Sequence, residues 1–556
     1  MFQVLNPRGE PHPVELRPLA ARPATLQGLR IALVNSWPGA DSGFAPLFDA
    51  LRARIASRFP AARVEVLDKP SAYSIDDAAF WDRIVASCDV FVYAAAPSAS
   101  TTHYAVHYTA KLEARGRPGA VAVYDTLRQD TRNSVEGCGS EVRWTAAPYP
   151  LAEVALDALV MLADRLLEQL TAPLGAHEQR TGTRPPPTQP RIAFKGDYDE
   201  VQEFFHARRW SDGLPVTPPT PEAVERMLQG TCAAPDTVVT EVMGPQNWRV
   251  TVEKVAIVAV MAGCTPACLP VVLGAVQAYS QGANGLPSAY STPARATNSF
   301  AFMQVVNGPI RHAAGMNAGL NALGPGNRAN ASIGRALRLA LIHLGGWDVG
   351  TNALPVQGNP AAYTLAFAEN EEASPWPSLA QRRGFAASDS VLTLMVGGWS
   401  HVGNYIAAGL ERLARDVTTL EYPSGLALLL SPERAKLLAA QGLDAAGVED
   451  FVWQRAVLPA REVRDGIYWS TLIAPNLRGD PARRLWDVAL LDAPDEALVP
   501  VYPRGQLTTV VVGGDVSPMM QAWKMQYPVS VSLEPWLPRP HPNPLPKGEG
   551  ARTDTQ

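Results

Sequence analysis

The sequence predicts an α/β protein, with an N-terminal doubly wound parallel sheet and a larger C-terminal α/β or α+β domain. Three observations carry this. At 556 residues the chain is too long for one core. From about Leu29 to Leu170, short apolar runs alternate with helix-period segments, the pattern of parallel strands joined by crossover helices. A polar, proline-rich stretch, TAPLGAHEQRTGTRPPPTQP (Thr171–Pro190), then divides this region from a longer one. The expected organisation is an extension over 1–28, a Rossmann- or flavodoxin-like domain over 29–170, a linker over 171–191, a large domain over 192–533 and a disordered tail over 534–556.

In the first domain RIALVNSW, RVEVL, DVFVYAAA and GAVAVYDT read as strands. FAPLFDALRARIASRF, DDAAFWDRIVAS, the segment bearing His103 and His107, and LAEVALDALVMLADRLLEQL have helical spacing. Loops after the strands are the default site in an open parallel sheet. Here they hold Asn35-Ser36-Trp37, Asp68-Lys69-Pro70, Ala96 to Thr101, and Asp125-Thr126. The large domain opens with WSDGLPVTPPTPEAVERML, a turn-rich entry to a helix started by Thr220 and Pro221.

Composition narrows the function. The chain is 47% hydrophobic and 18% charged, with net charge −5, which gives no reason to expect nucleic acid or an anionic membrane as partner. Cys88, Cys138, Cys232, Cys264 and Cys268 are too sparse for a disulfide framework, so a cytoplasmic location is expected. The N-terminus has no apolar core of a signal peptide. The uncharged run Val255–Tyr279 is long enough to span a bilayer, but Pro266 and Pro270 split it, and buried core helices are expected instead.

Four clusters carry candidate chemistry. In DVFVYAAAPSASTTHYAVHYTAKLEARGRP, Ser98, Ser100, Thr101 and Thr102 stand where a strand meets a helix, with Thr101 or Thr102 placed to cap it. His103 and His107, four apart, share a helix face. They read as half-buried packing residues, a substrate contact, or two of the three ligands a metal would need. In MAGCTPACLP, Cys264 and Cys268 lack the Cys-x-x-Cys spacing. Cys264 is either an inert core residue or the best remaining nucleophile, with Glu253 and Lys254 upstream to set its ionisation.

LGPGNRANASIGRALRL is the strongest anion-binding signal. Gly324 and Gly326 flank a tight turn, Asn330 or Ser332 can start a helix, and Arg328 and Arg335 add charge, with Arg338 one turn further on. The spacing matches neither a Walker A loop nor a dinucleotide fingerprint, so no cofactor is implied. AENEEASPW groups Glu369, Glu371 and Glu372, as a solvated loop or as a source of a general base. SDGLPVTPP and NGPI supply Asp212 and Asn307 as polar contacts.

The stretch APSASTTHYAVHYTAKLEARGRP resembles the signature of the UGSC family of (seleno)proteins. There a strand ends in selenocysteine or cysteine, then Gly, Ser and Cys, followed by Thr, an aromatic, His, Leu-Glu and Gly-x-Pro. The resemblance puts the selenocysteine position on Ser98, the glycine on Ala99, the serine on Ser100 and the cysteine on Thr101, while Thr102, His107, Leu112, Glu113 and Pro118 match. SDGLPVTPP, TVEKVAIVAVMAGC, LPVV, NGPI, GPGNRANASIGRALRL and AENEEASPW are similar to the rest of the family, and VVVGGDVSPMMQAW is more weakly so. The N-terminal part is also similar to substrate-activating selenoprotein subunits of glycine and betaine reductases.

The resemblance implies reductive chemistry, but a serine and a threonine cannot form the selenenyl-sulfide of a Sec/Cys pair. The expected function is therefore an enzyme, a lyase or an oxidoreductase-like protein, cleaving a carbon–heteroatom bond in a small anionic organic molecule. Cys264, His107 and Glu371 are its candidate catalytic groups. Ser98, Ser100, Thr101, Thr102, Gly324, Gly326, Arg328, Asn330, Arg335, Asn307 and Asp212 are its candidate substrate contacts. A homo-oligomer or a thiol-donating partner protein would fit this. The alternative is a binding or assembly subunit that has lost redox activity.

Overall fold

A computed structural model of the chain describes residues 1–37, 43–285, 290–402, 409–418, 424–466, 468–479 and 481–538. Two short strands, β1 (Phe2–Leu5) and β2 (Val14–Leu16), come first. There follow β3 (Arg30–Asn35), α1 (Ala45–Arg58), β4 (Arg63–Asp68), α2 (Ala78–Ser87), β5 (Val90–Ala94), α3 (Ala99–Glu113), β6 (Gly119–Tyr124), α4 (Arg128–Cys138), β7 (Trp144–Ala147) and α5 (Leu156–Thr171). β3 to β7 form one parallel sheet in the order β4-β3-β5-β6-β7. β5 and β6 are buried along their whole length, whereas the edge strands β4 and β7 alternate or are half-covered. Continuous apolar runs are what a strand covered by helices on both faces requires. Leu47, Leu51, Ile55, Leu162 and Leu166 of α1 and α5 fill one face, and Trp81, Ile84, Val106 and Leu112 of α2 and α3 the other.

This order is that of a flavodoxin-like sheet, whose chain reverses direction between β3 and β5. The loops leaving those two strands carry Asn35-Ser36-Trp37 and Ala96 to Thr101, so the serine-threonine loop sits at the switch point.

The second unit is built on a six-stranded mixed sheet. Its strands run Ala366–Ala368, Ala301–Asn307, Val391–Val402, Met520–Ser532, Leu426–Leu430 and Leu507–Val511 in space, with parallel pairs only at the two edges. Helices Val252–Met261, Leu269–Gly285 and Arg328–His343 form a layer against it. The uncharged run is thus two packed core helices broken at Pro266, and no helix among the described residues is long and apolar enough to cross a membrane. A satellite core gathers helices Leu410–Val417, Pro432–Ala440 and Ala445–Arg455 around the far edge strands.

The segments expected to be an extension and a linker are tied into both units. β1 pairs antiparallel with Ile192–Gly196 of the second unit, and β2 with Gly182–Arg184 inside the proline-rich stretch. Glu113, at the end of α3, accepts hydrogen bonds from the Ala20 and Gly119 backbone N–H groups, both at 2.7 Å. It also takes one from Arg22 at 2.9 Å, and the Arg22–Glu113 pair is almost wholly excluded from solvent. Arg143 grips Glu178 at 2.6 Å in the same stretch. Polar composition suggested a free linker, but a buried ion pair needs polar residues as much as a solvated loop does. At the other end Glu534–Trp536, placed in the tail by composition, forms a turn with Trp536 buried and bonded to Gln277 at 2.9 Å. Residues 539–556 of that tail lie outside the described residues.

Candidate functional site

At the switch point α3 starts one residue after Ser98, earlier than a Thr101 or Thr102 cap would place it. Thr101 donates back to the carbonyls of Ala96 (2.6 Å) and Ser98 (2.8 Å). Ser98 and Ser100 hydroxyls bond each other at 2.9 Å, and Tyr73 reaches Ser100 at 3.3 Å. Ser100, Thr101 and Thr102 are buried, and the Thr102 hydroxyl has no hydrogen-bond partner among the described residues. Trp37 stacks on Tyr73, 5.3 Å between ring centres. On the loop after β4, Lys69 is completely buried, its ammonium bonded to the Ala72 carbonyl (2.6 Å) and the Ser71 hydroxyl (2.5 Å). Burial pushes its pKa down to about 7.

His103 and His107 face the second unit. Their rings lie 4.3 Å apart, and His103 bonds the Ser134 hydroxyl of α4 at 3.1 Å. Across the seam, Arg295 approaches Asp130 at 3.4 Å and donates to the Pro245 carbonyl at 2.5 Å. Burial, then the Arg295 charge, lowers both imidazoles, His107 to about 4. Burial raises Asp130 to about 7 against the pull of Arg295. No described group of three or more His, Cys, Asp or Glu side chains could hold a metal ion.

The seam has a pH consequence. A histidine whose folded pKa is lowered takes up a proton more readily when unfolded, so stability falls as pH drops from about 6.5 towards 4. Asp130 has the opposite sign over about 4 to 7, because the folded state holds its proton. His107→Leu removes one of the opposing contributions. Relative to wild type the variant should gain about 2 kcal/mol between pH 7.5 and pH 5, read from urea unfolding at the two pH values. An unchanged difference would mean that His107 titrates normally.

In the second unit the helix Arg328–His343 organises the remaining candidates. It begins at Arg328, ahead of both Asn330 and Ser332. Asn330 is buried within it and accepts the Asn317 N–H (3.0 Å) while donating to Asn317 and Ala322 carbonyls. Arg335 makes a bidentate pair with Asp212, both bonds 2.8 Å, and also holds the Pro215 carbonyl at 2.9 Å. These side chains fasten loops. Arg328, at the Gly324–Gly326 turn, is exposed, and its guanidinium reaches the Gly263 carbonyl at 3.4 Å.

The acidic cluster is a clamp. Buried Asn307 donates to Glu369 (2.6 Å) and Glu371 (2.9 Å), and Glu371 also takes the Gly308 N–H at 2.8 Å and Arg311 at 3.1 Å. Glu369 accepts the Leu379 N–H at 2.7 Å, and burial raises its pKa. With both oxygens engaged, Glu371 is poorly placed to take a proton from a substrate.

A cleft of about 500 Å³ opens beside this helix, lined by Phe300, Phe302, Ile342, Trp347, Pro355 and Arg338 among others. Arg338 lies over the Trp347 ring at 4.7 Å and donates its Nε–H to the Ala362 carbonyl at 2.9 Å. Burial lowers its pKa to about 10, so it stays charged at neutral pH, and among the described residues it forms no ion pair. Nearby Asp212 is already neutralised by Arg335. His206 and Tyr363 stand at the same cleft. The buried phenol of Tyr279, whose ring meets Phe302 at 5.5 Å, feels both Arg295 and Arg338 and so links the cleft to the seam.

The geometry places the serine-threonine loop, the histidine pair and Glu113 within one stretch of chain, and residues 3–176 match the model of the UGSC family. The first unit is similar to the UGSC family. The match covers the whole parallel sheet, residues 3–28 of the N-terminal segment and part of the proline-rich stretch, and it ends before the second unit. No curated protein matches the chain. Within the matched region, Glu113 anchors the N-terminal segment and the serine-threonine loop lies at the switch point. Arg338, His206 and Tyr363, at the cleft, lie beyond the matched region. Of these, sequence reasoning noted only Arg338, as a neighbour of Arg335.

Proposed function

We propose that the chain is an enzyme that binds a small organic anion with an apolar body in the second-unit cleft, its carboxylate or phosphate on Arg338. One observation carries this: a charged guanidinium held against Trp347, in a largely apolar cleft, with no carboxylate partner among the described residues. A half-buried cation without a counter-ion is costly, and an anionic ligand removes that cost. The reaction class is carbon–heteroatom cleavage by acid–base chemistry, which needs a proton donor and acceptor at the bond. His206 and Tyr363 supply such groups at the cleft. Ser98 and Thr101, standing where the family signature has its redox pair, supply no thiol chemistry. The internal bonding of the 98–101 loop favours the second reading for the first unit alone, that of a domain kept for assembly.

The test is ligand-induced thermal stabilisation. Benzoate, phenylacetate and phenyl phosphate should raise the Tm of the wild type, and uncharged benzamide should not. Arg338→Leu should weaken anion binding about 10- to 100-fold, the equivalent of losing one charge-assisted hydrogen-bond pair, and Arg338→Lys should fall between. Equal stabilisation of wild type and Arg338→Leu would refute the site.

A further inference from the structure

Helix Tyr198–Ala207 ends at the Arg338 cleft, where His206 and Arg209 both form part of the lining. Two bonds close the helix: the Arg209 N–H donates to the His206 carbonyl at 2.9 Å, and the Trp210 N–H to the Phe205 carbonyl at 2.7 Å. This closure needs a left-handed residue at position 209, and glycine adopts that conformation without strain. Arg209 stands there instead, with φ 55°. A side chain in that region costs backbone energy, which only the contacts it makes can offset. Here it bridges two walls of the cleft. The guanidinium donates to the Val349 carbonyl at 3.0 Å and pairs with Asp348 at 3.2 Å. Asp348 is itself fixed by the Thr351 hydroxyl at 2.7 Å. The Arg209 side chain is 65% exposed and Arg338 is half-buried, so Arg209 marks the outer end of the cleft.

The charges around the cleft do not balance. Among the described residues four guanidinium groups, those of Arg8, Arg209, Arg335 and Arg338, stand against the carboxylates of Asp212 and Asp348. Arg335 takes Asp212 in two bonds of 2.8 Å. Asp348 pairs with Arg209 and also faces the charge of Arg8, which lies behind the wall over the Trp210 ring and bonds the Ile342 carbonyl at 3.4 Å. Two positive charges are left over. We propose that the ligand of this cleft is an organic dianion, with one anionic group on Arg338 inside and the other on Arg209 at the outer end. This rests on the cleft being the ligand site, and it adds a second charge to that ligand. The Arg209–Asp348 pair is exposed to solvent and weak, so an incoming carboxylate takes the place of Asp348 with little loss. The gain comes from the uncompensated guanidinium charges, which a dianion neutralises and a monoanion only halves.

The experiment measures Kd on the full chain by isothermal titration, at about pH 7.5 and about 0.15 M salt so that non-specific charge attraction is screened. Benzoate is the monoanion; isophthalate, terephthalate and 4-carboxyphenylacetate are dianions of graded span. The best dianion should bind the wild type about tenfold tighter than benzoate. Arg209→Gly places at the left-handed position the residue that suits it, so the fold is kept while the charge is removed. It should cost the best dianion about tenfold and bring it within about twofold of benzoate. Arg338→Leu should weaken every ligand. Benzoate binding the wild type as tightly as each dianion overturns the proposal and leaves the cleft site standing. A dianion preference that survives in Arg209→Gly does the same. Binding that Arg338→Leu leaves unmoved overturns the cleft site itself, and the second charge with it.

Discussion

Glu113→Ala should destabilise the protein by about 3–5 kcal/mol, the cost of removing one partner from a buried ion pair. Its carboxylate accepts three hydrogen bonds, two from backbone N–H groups at Ala20 and Gly119 and one from Arg22. Alanine leaves all three donors in a site almost closed to solvent, with the Arg22 charge among them. Because Ala20 and Arg22 belong to the strap that runs from β2 into the parallel sheet, the loss should also free that segment. Urea unfolding reads the energy, and limited proteolysis near Ala20 reads the release. Arg22→Met with Glu113→Leu should recover only the part due to the unpaired Arg22 charge, since the Ala20 and Gly119 N–H groups still lose their acceptor. A Glu113→Ala variant within about 0.5 kcal/mol of wild type, the range of an ordinary surface change, would mean that the strap is held by other contacts.

Arg311→Leu should cost about 2–4 kcal/mol, less than the first because Glu372 is half exposed and screened. Arg311 is buried and spends its donors on the carbonyls of Gly308 and Glu369 and on the carboxylates of Glu371 and Glu372. Its removal leaves Glu371 beside buried Glu369 without a cation. The pH profile provides a second readout. Arg311 is the main cause holding Glu372 down to about 2, so this stabilisation is complete above the ordinary carboxylate range and is lost as pH falls from about 4.5 towards 2. The variant should lack that acid limb. If its unfolding curves at pH 5 and pH 3 keep the wild-type spacing, the clamp contributes nothing.

The first unit was readable because its strands are continuous apolar runs, and only burial on both faces requires those. Two of its elements were not. α4 (RQDTRNSVEGC) is mostly polar, and β7 is four residues beside prolines, so neither carries an apolar period. The strand pairings of the strap and the proline-rich stretch were not legible for a different reason. β1 and β2 pair with strands more than 160 residues away, and no local pattern encodes a distant partner. Among the candidate site residues, Arg335, Asn330, Asn307 and Glu371 are of types that bind ligands. The same donors and acceptors also fasten loops, and only geometry separates the two uses. The cleft stayed hidden because much of its wall is irregular chain around Trp347 to Tyr363.

The most direct test of organic-anion binding at Arg338 is diffraction from crystals grown with 4-bromobenzoate, collected at the bromine absorption edge. The expected result is one strong anomalous peak inside the cleft, between Phe300 and Trp347, with the carboxylate on the Arg338 guanidinium. Crystals of Arg338→Leu should show no such peak. Bromine at the 98–101 loop with an empty cleft, or an equal peak in the Arg338→Leu crystals, would contradict it.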